Sequence, residues 1–138
     1  KNDDPASDRV YISREKAPRR RITNEDALRA TLESFGFTCV CMEDYPWQEQ
    51  ISIVSRASLL MGLHGAGLTN MLFMQPGSQI IELRRQGDGH NNCYFTLASA
   101  MSHDYYYQTC PGTTDNTFDA DFAVDIAELR TLLESLPH

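Results

Sequence analysis

Apolar stretches of strand length alternate along the chain with stretches whose apolar residues recur at helical spacing. The clearest strand is the run from Ser58 to Leu63, and the clearest helix carries Leu129, Leu132 and Leu133 on one face. The predicted strands are residues 9–13, 37–42, 58–63, 80–82 and 104–109. The predicted helices are residues 23–34, 46–57, 68–73, 92–102 and 124–136, and Gly36 is expected to end the first of them. Residues 84–91 are polar and contain glycine, which predicts a loop. This alternation predicts an α/β fold with a parallel sheet and helices on both faces.

The length of the chain suits one domain over residues 1–138. Its 138 residues, 41% of them hydrophobic, suffice for a single core. Residues 1–8 are polar, and we expect them to be disordered. Because the first residue is Lys1 rather than methionine, we expect a fragment or a processed chain. The sequence contains no apolar stretch of membrane-span length, so membrane association is expected only through segments outside this chain.

The charge is unevenly distributed. The net charge of −7 argues against binding to nucleic acid, yet half of the twelve Lys and Arg residues lie between Arg9 and Arg21. Such a run is usually a solvated surface. Here it follows a predicted strand and precedes a helix N-terminus, so we expect Arg14 and one arginine of residues 19–21 to clamp a diphosphate.

The four cysteines, Cys39, Cys41, Cys93 and Cys110, lack the spacing of a metal site. Cys39 and Cys41 alternate along one predicted strand and point the same way, so they are not expected to bond to each other. We interpret the cysteines as buried thiols, which favours a reducing compartment.

A glycine turn joins the third predicted strand to the following short helix. Gly65-Ala66-Gly67 allows the sharp change of direction, and Pro76-Gly77 turns the chain again before the next strand. Such a joint presents backbone N–H groups and a positive helix end at the carboxyl edge of a parallel sheet, where phosphorylated ligands bind. Glu82 is expected at the same edge, where a carboxylate can accept both hydroxyls of a ribose.

A series of motifs in this order resembles glycosyltransferase family 61. The motifs are Tyr11-Ile12-Ser13-Arg14, Arg20-Arg21-Ile22-Thr23-Asn24-Glu25, Glu49-Gln50-Ile51, Gly62-Leu63-His64-Gly65-Ala66-Gly67-Leu68-Thr69-Asn70, Pro76-Gly77-Ser78 and Glu82. They cover Arg9 to Leu83, more than half of the chain, and the later residues fit loosely. The family includes plant xylan-decorating transferases, O-linked N-acetylglucosamine transferases, transferases that extend O-mannose, and many bacterial capsule or exopolysaccharide proteins.

The resemblance implies a Rossmann-like, donor-binding C-terminal half of a GT-B-type enzyme, with the N-terminal acceptor domain outside this chain. The implied reaction is an inverting transfer of a sugar from a nucleotide-diphosphate sugar to a hydroxyl of a glycan or protein, in polysaccharide biosynthesis. The nucleotide sugar is a substrate, and no cofactor or metal is expected, because arginines and helix dipoles hold the leaving diphosphate. The implied location is the cytoplasm, with membrane association, in a bacterium, or the lumen of the secretory pathway in a eukaryote.

The resemblance also assigns roles to individual residues. His64 is the catalytic candidate, donating a hydrogen bond or positive charge to the departing diphosphate; contact with the sugar stays an alternative. The expected donor-binding residues are Arg14, Arg20, Arg21, Asn24, Gly65, Ala66, Gly67, Leu68, Asn70 and Glu82. Asn24 has a second interpretation as the cap of its own helix. Glu43 either approaches the base or starts a loop. Residues 105–107, three tyrosines, are expected to pack within a strand rather than to form a stacking platform.

Two other interpretations of the glycine turn are not supported by the sequence. A dinucleotide-binding G-x-G-x-x-G that begins at Gly65 requires glycine at the position of Asn70. The phrase His64-Gly65-Ala66-Gly67 resembles an esterase oxyanion loop, but the chain lacks a G-x-S-x-G nucleophile elbow. The alternatives to a transferase are a nucleotide-binding module without catalysis and an α/β domain that binds a protein partner. The general base of a transferase is not identified, and it is expected in the N-terminal half outside this chain or in the cleft between the two halves.

Overall fold

A computed structural model describes residues 8–13, 22–63, 66–85, 93–110 and 123–136. In these residues, five strands form one sheet in which every neighbouring pair is parallel. The strands are β1 (Asp8–Ile12), β2 (Phe37–Val40), β3 (Ala57–Leu63), β4 (Gln79–Arg85) and β5 (Asp104–Cys110), in the order β2-β1-β3-β4-β5. The predicted α/β fold with a parallel sheet is confirmed.

Within the described residues, four α-helices and two 3₁₀ helices accompany these strands, and the last α-helix follows the last strand. The α-helices are α1 (Glu25–Ser34), α2 (Trp47–Ser55), α3 (Cys93–Ala100) and α4 (Ile126–Ser135), and the 3₁₀ helices are Met42–Asp44 and Ala66–Phe73. The predicted short helix after the glycine turn is therefore a 3₁₀ helix. The apolar pattern covers so few residues that it does not distinguish the 3.0 residues per turn of a 3₁₀ helix from the 3.6 of an α-helix.

Helices cover both faces of the sheet, as predicted. One face, which we call the α1 face, packs Tyr11 and Leu83 against α1 and α4. The opposite face, the α2 face, packs Val10 and Ile80 against α2, α3 and the 3₁₀ helix Ala66–Phe73. Because successive strand residues point to opposite faces, β3 supplies Leu59 and Met61 to the α1-face core and Leu60 to the α2-face core, which explains its nearly continuous apolar sequence.

Several predicted boundaries are wrong by a few residues. Asp8 begins β1 instead of ending a disordered segment, and residues 1–7 lie outside the described residues. β2 ends at Val40. β4 continues to Arg85, although a loop was predicted from Arg84. Gly36 ends α1 with a φ of 85°, a backbone conformation that glycine adopts without strain, as its predicted role requires.

The described cysteines carry reduced thiols. Cys41 and Cys110 are buried, and Cys39 is half-buried against the α1-face core. Burial, together with the negative charge of Glu128, raises the pKa of Cys110 to about 12. The expectation that Cys39 and Cys41 share one strand is wrong, because Cys41 follows the end of β2. The side chain of Cys93 lies outside the described residues.

Candidate functional site

The order of the strands creates a switch point between β1 and β3. The chain passes from β1 to β2 on one side and continues with β3 on the other, and Ile12 is paired with Gly62 where the two strands end. Ligands of open parallel α/β sheets bind in the crevice outside the carboxyl ends of the strands at such a point. The segments that follow β1 and β3 in sequence begin at this crevice.

The residues that the sequence assigns to the phosphates belong mostly to these two segments. Arg14, Arg20, Arg21, His64 and Gly65 lie outside the described residues, so their assignments stay predictions. The described residues on either side are Ser13 and Ile22 for the first segment, and Leu63 and Ala66 for the second.

Glu25 forms hydrogen bonds to the end of β1, just before residues 14–21 in the sequence, which we call the basic segment. Its carboxylate accepts hydrogen bonds from the hydroxyl of Ser13 (Oγ to Oε2, 2.8 Å) and from that of Tyr11 (Oη to Oε1, 3.2 Å). The backbone N–H of Ser13 donates to the carbonyl of Val40 at 2.8 Å. Burial and the charge of Glu25 raise the pKa of Tyr11, so its hydroxyl remains a donor. Sequence reasoning assigned no role to Glu25, since a carboxylate at a helix start is common.

The N-terminus of α1 is an unfavourable place for a phosphate. Glu25 and Asp26 lie in its first turn, where their charges already complement the positive end of the helix dipole. The structure therefore gives no support to phosphate binding at the start of α1 itself.

Asn24 connects α1 to the residues that lead into α4. It occupies the N-cap position of α1, but its side chain makes no capping hydrogen bond. Its Nδ2 donates to the carbonyl of Val124 at 2.8 Å, and its Oδ1 accepts from the N–H of Val124 at 3.0 Å. The expected side-chain cap is thus wrong, because both polar ends of the amide are used by a residue far away in sequence. A ligand contact by Asn24 would compete with this pair.

The start of the 3₁₀ helix Ala66–Phe73 offers a ligand mainly backbone groups. Ala66 and Gly67 are its first residues. The Leu68 side chain is buried in the α2-face core, and its Cδ2 lies 3.5 Å from the position that a Cβ on Gly62 would take. Leu68 is therefore able to meet a ligand only through its backbone, whereas Asn70 is half-exposed.

Glu82 lies within β4 rather than at its end, which corrects its predicted position. It is 1% exposed, and its Oε1 accepts a hydrogen bond from the hydroxyl of Tyr105. Burial and this bond raise the pKa of Tyr105, while nearby Arg84 acts in the opposite direction. A ribose hydroxyl would have to displace the Tyr105 hydroxyl to reach Oε1. Sequence reasoning missed this contact because β5 follows β4 only after α3.

Two aromatic rings near Glu82 and Tyr105 are exposed to solvent. Tyr107 is 58% exposed and Phe95 is 51% exposed. The expectation that residues 105–107 all pack within the strand holds for Tyr106, which contacts the α1-face core, but it is wrong for Tyr107. Alternation along β5 places Tyr105 and Tyr107 together on the α2 face.

The part of the chain that the structure describes contains no group of three or more His, Cys, Asp and Glu side chains arranged to hold a metal ion. Glu43 is exposed in the 3₁₀ helix Met42–Asp44, after the end of β2. None of the described helices combines the length and the apolar character needed to cross a membrane.

A family profile and individual known proteins both match this chain, and both describe glycosyltransferases. The sequence profile of the family described as Glycosyltransferase 61 matches residues 1–81. A similar relative is the EGF domain-specific O-linked N-acetylglucosamine transferase of Drosophila melanogaster, 38% identical over 92 residues, which are 64% of this chain and 17% of the relative. The proteins of the same name from Bos taurus and Xenopus laevis are each 33% identical over 102 residues, 70% of this chain and 19% of the relative. The matches therefore span less than a fifth of each relative.

Proposed function

Because this chain belongs to the glycosyltransferase 61 family, we propose that it forms the donor-binding half of an inverting glycosyltransferase. The observation that carries the proposal is the switch point between β1 and β3, from which the basic segment and the glycine turn both continue. A nucleotide diphosphate bound there would have its negative charge beside the arginines of the basic segment. The acceptor domain of a GT-B arrangement would come from sequence outside this chain.

In the proposed reaction, a general base outside this chain deprotonates the acceptor hydroxyl as the bond from sugar to phosphate breaks. Arg14 and one or more of Arg20 and Arg21 stabilise the charge that develops on the diphosphate, and His64 donates a hydrogen bond to it. Backbone N–H groups at Gly65 and Leu68 supplement these donors. No metal is assigned to the reaction, because positive side chains and backbone dipoles supply the required charge stabilisation.

The relatives suggest the sugar and the acceptor. They are named as transferases of O-linked N-acetylglucosamine that are specific for EGF domains. We therefore favour N-acetylglucosamine as the sugar and a protein hydroxyl as the acceptor over a growing polysaccharide. Since these relatives come from animals, we favour the lumen of the secretory pathway over a bacterial cytoplasm. This proposal replaces the reducing compartment that the cysteines favoured.

Calorimetric titration of the protein with nucleoside diphosphates tests the donor site. Arg14→Ala should reduce affinity for the best ligand about 10- to 150-fold, because a charge-assisted contact contributes about 1.5 to 3 kcal/mol. Arg130→Ala is the matched control: it also removes one positive charge, but from α4, where the guanidinium lies 6.0 Å from the centre of the Phe35 ring. Equal affinity for wild type and Arg14→Ala would remove Arg14 from the site. Binding without any sugar transfer by the complete protein would instead favour a nucleotide-binding module.

A further inference from the structure

One row of residues crosses the sheet at the level of the switch point. Ile12 pairs with Gly62, Gly62 with Glu82, and Glu82 with Tyr107, so these residues lie side by side on β1, β3, β4 and β5. Adjacent strands are about 4.8 Å apart, which places Tyr107 about 10 Å from Gly62 along the row. All four residues face the α2 side of the sheet, since paired residues share a face.

The side chain at the far end of this row is an exposed ring held by its neighbours. Tyr107 is 58% exposed, and its ring centre lies 6.2 Å from that of Tyr105, with an angle of 30° between the ring planes. Tyr105 is fixed in turn by its hydrogen bond to buried Glu82 and by an edge-to-face contact with Phe95 at 5.4 Å. The Tyr107 ring therefore offers a supported aromatic surface to a ligand on the α2 face.

The order of groups along the row matches the order of groups in a nucleotide. If the diphosphate lies at the ends of β1 and β3 and the ribose lies near Glu82 on β4, the base extends toward β5. We propose that Tyr107 stacks on the nucleobase of the donor. This inference rests on the proposed function, and it assigns the nucleoside end of that site. A flat base can stack on an aromatic side chain without hydrogen bonds. This interaction suits the exposed ring of Tyr107.

The test compares two variants of Tyr107 with two ligands in the complete protein. Tyr107→Thr removes the ring and introduces a β-branched residue that favours a strand, and Tyr107→Phe keeps the ring without its hydroxyl. Stacking on a base contributes about 1 to 3 kcal/mol, so Tyr107→Thr should bind the nucleoside diphosphate about 5- to 150-fold more weakly. Tyr107→Phe should bind it as the wild type does. Both variants should bind inorganic pyrophosphate with wild-type affinity, because the ring is remote from the phosphates.

The possible results separate this inference from the proposal on which it rests. Unchanged nucleotide affinity in Tyr107→Thr, with weakened binding in Arg14→Ala, overturns the stacking role and leaves the donor site standing. An equal loss for nucleotide and pyrophosphate in Tyr107→Thr also overturns it, because the effect would then be a general disturbance of the site. If the wild type binds no nucleoside diphosphate, the proposed function fails and the stacking role fails with it.

Discussion

The pair formed by Asn24 and Val124 should contribute strongly to stability. Val124 is 3% exposed, and its N–H and carbonyl both bond to the Asn24 side chain. Asn24→Ala removes two hydrogen bonds worth about 1 kcal/mol each and leaves two backbone groups buried without these partners. We expect a loss of about 3 kcal/mol in the free energy of unfolding. For a domain of 138 residues this lowers the melting temperature by about 10 °C.

Urea unfolding monitored by circular dichroism measures this loss as a lower midpoint with an unchanged slope. Asn24→Asp is the informative companion variant. Aspartate caps helices as well as asparagine does, but it would place a carboxylate oxygen against the Val124 carbonyl in place of the Nδ2 donor. We therefore expect Asn24→Asp to lose about 1 to 2 kcal/mol as well. Wild-type stability in Asn24→Asp, with a loss of no more than about 1 kcal/mol in Asn24→Ala, would refute the reasoning and restore a simple cap.

Two further predictions concern the candidate site. Glu82→Gln should weaken binding of a ribonucleotide more than binding of the matching 2′,3′-dideoxynucleotide, because a carboxylate accepts from hydroxyl groups; equal losses in calorimetry would contradict a role at the ribose. His64→Ala, measured in the complete enzyme with its acceptor, should lower turnover about 100- to 1000-fold while changing donor affinity much less, because the bond to the diphosphate strengthens in the transition state. Full turnover at saturating donor would show that His64 is structural.

The fold was predictable from local patterns, whereas most of the contacts at the site were not. Apolar runs, and for β5 a run of tyrosines, located all five strands, and Gly36 marked the end of α1, because these signals act within a few residues. The end of β4 was misplaced because the residues from Arg84 onward are polar and were assigned to a loop, although Arg84 and Arg85 pair with β5. The local sequence does not indicate where tertiary structure ends the pairing.

The contacts that define the site join distant parts of the chain. Asn24 meets Val124, and Glu82 meets Tyr105, only after the sheet has brought β4, β5 and the two flanking helices together. Local sequence patterns carry no information about such pairs. The assignments of Arg14 and His64 depend instead on the family motifs and on the switch point, and they stay predictions.

The outer edge of β5 has a consequence for handling this domain in isolation. Within the part of the chain that the structure describes, β5 pairs with β4 on one side only. It is seven residues long, rich in tyrosine, and has Asp104 as its one charged residue, a composition that favours association between copies through unpaired backbone. β2 at the opposite edge has only four residues. Protection against aggregation is therefore best engineered on β5, where a lysine at the exposed position of Thr109 would place charge on that edge without disturbing either core.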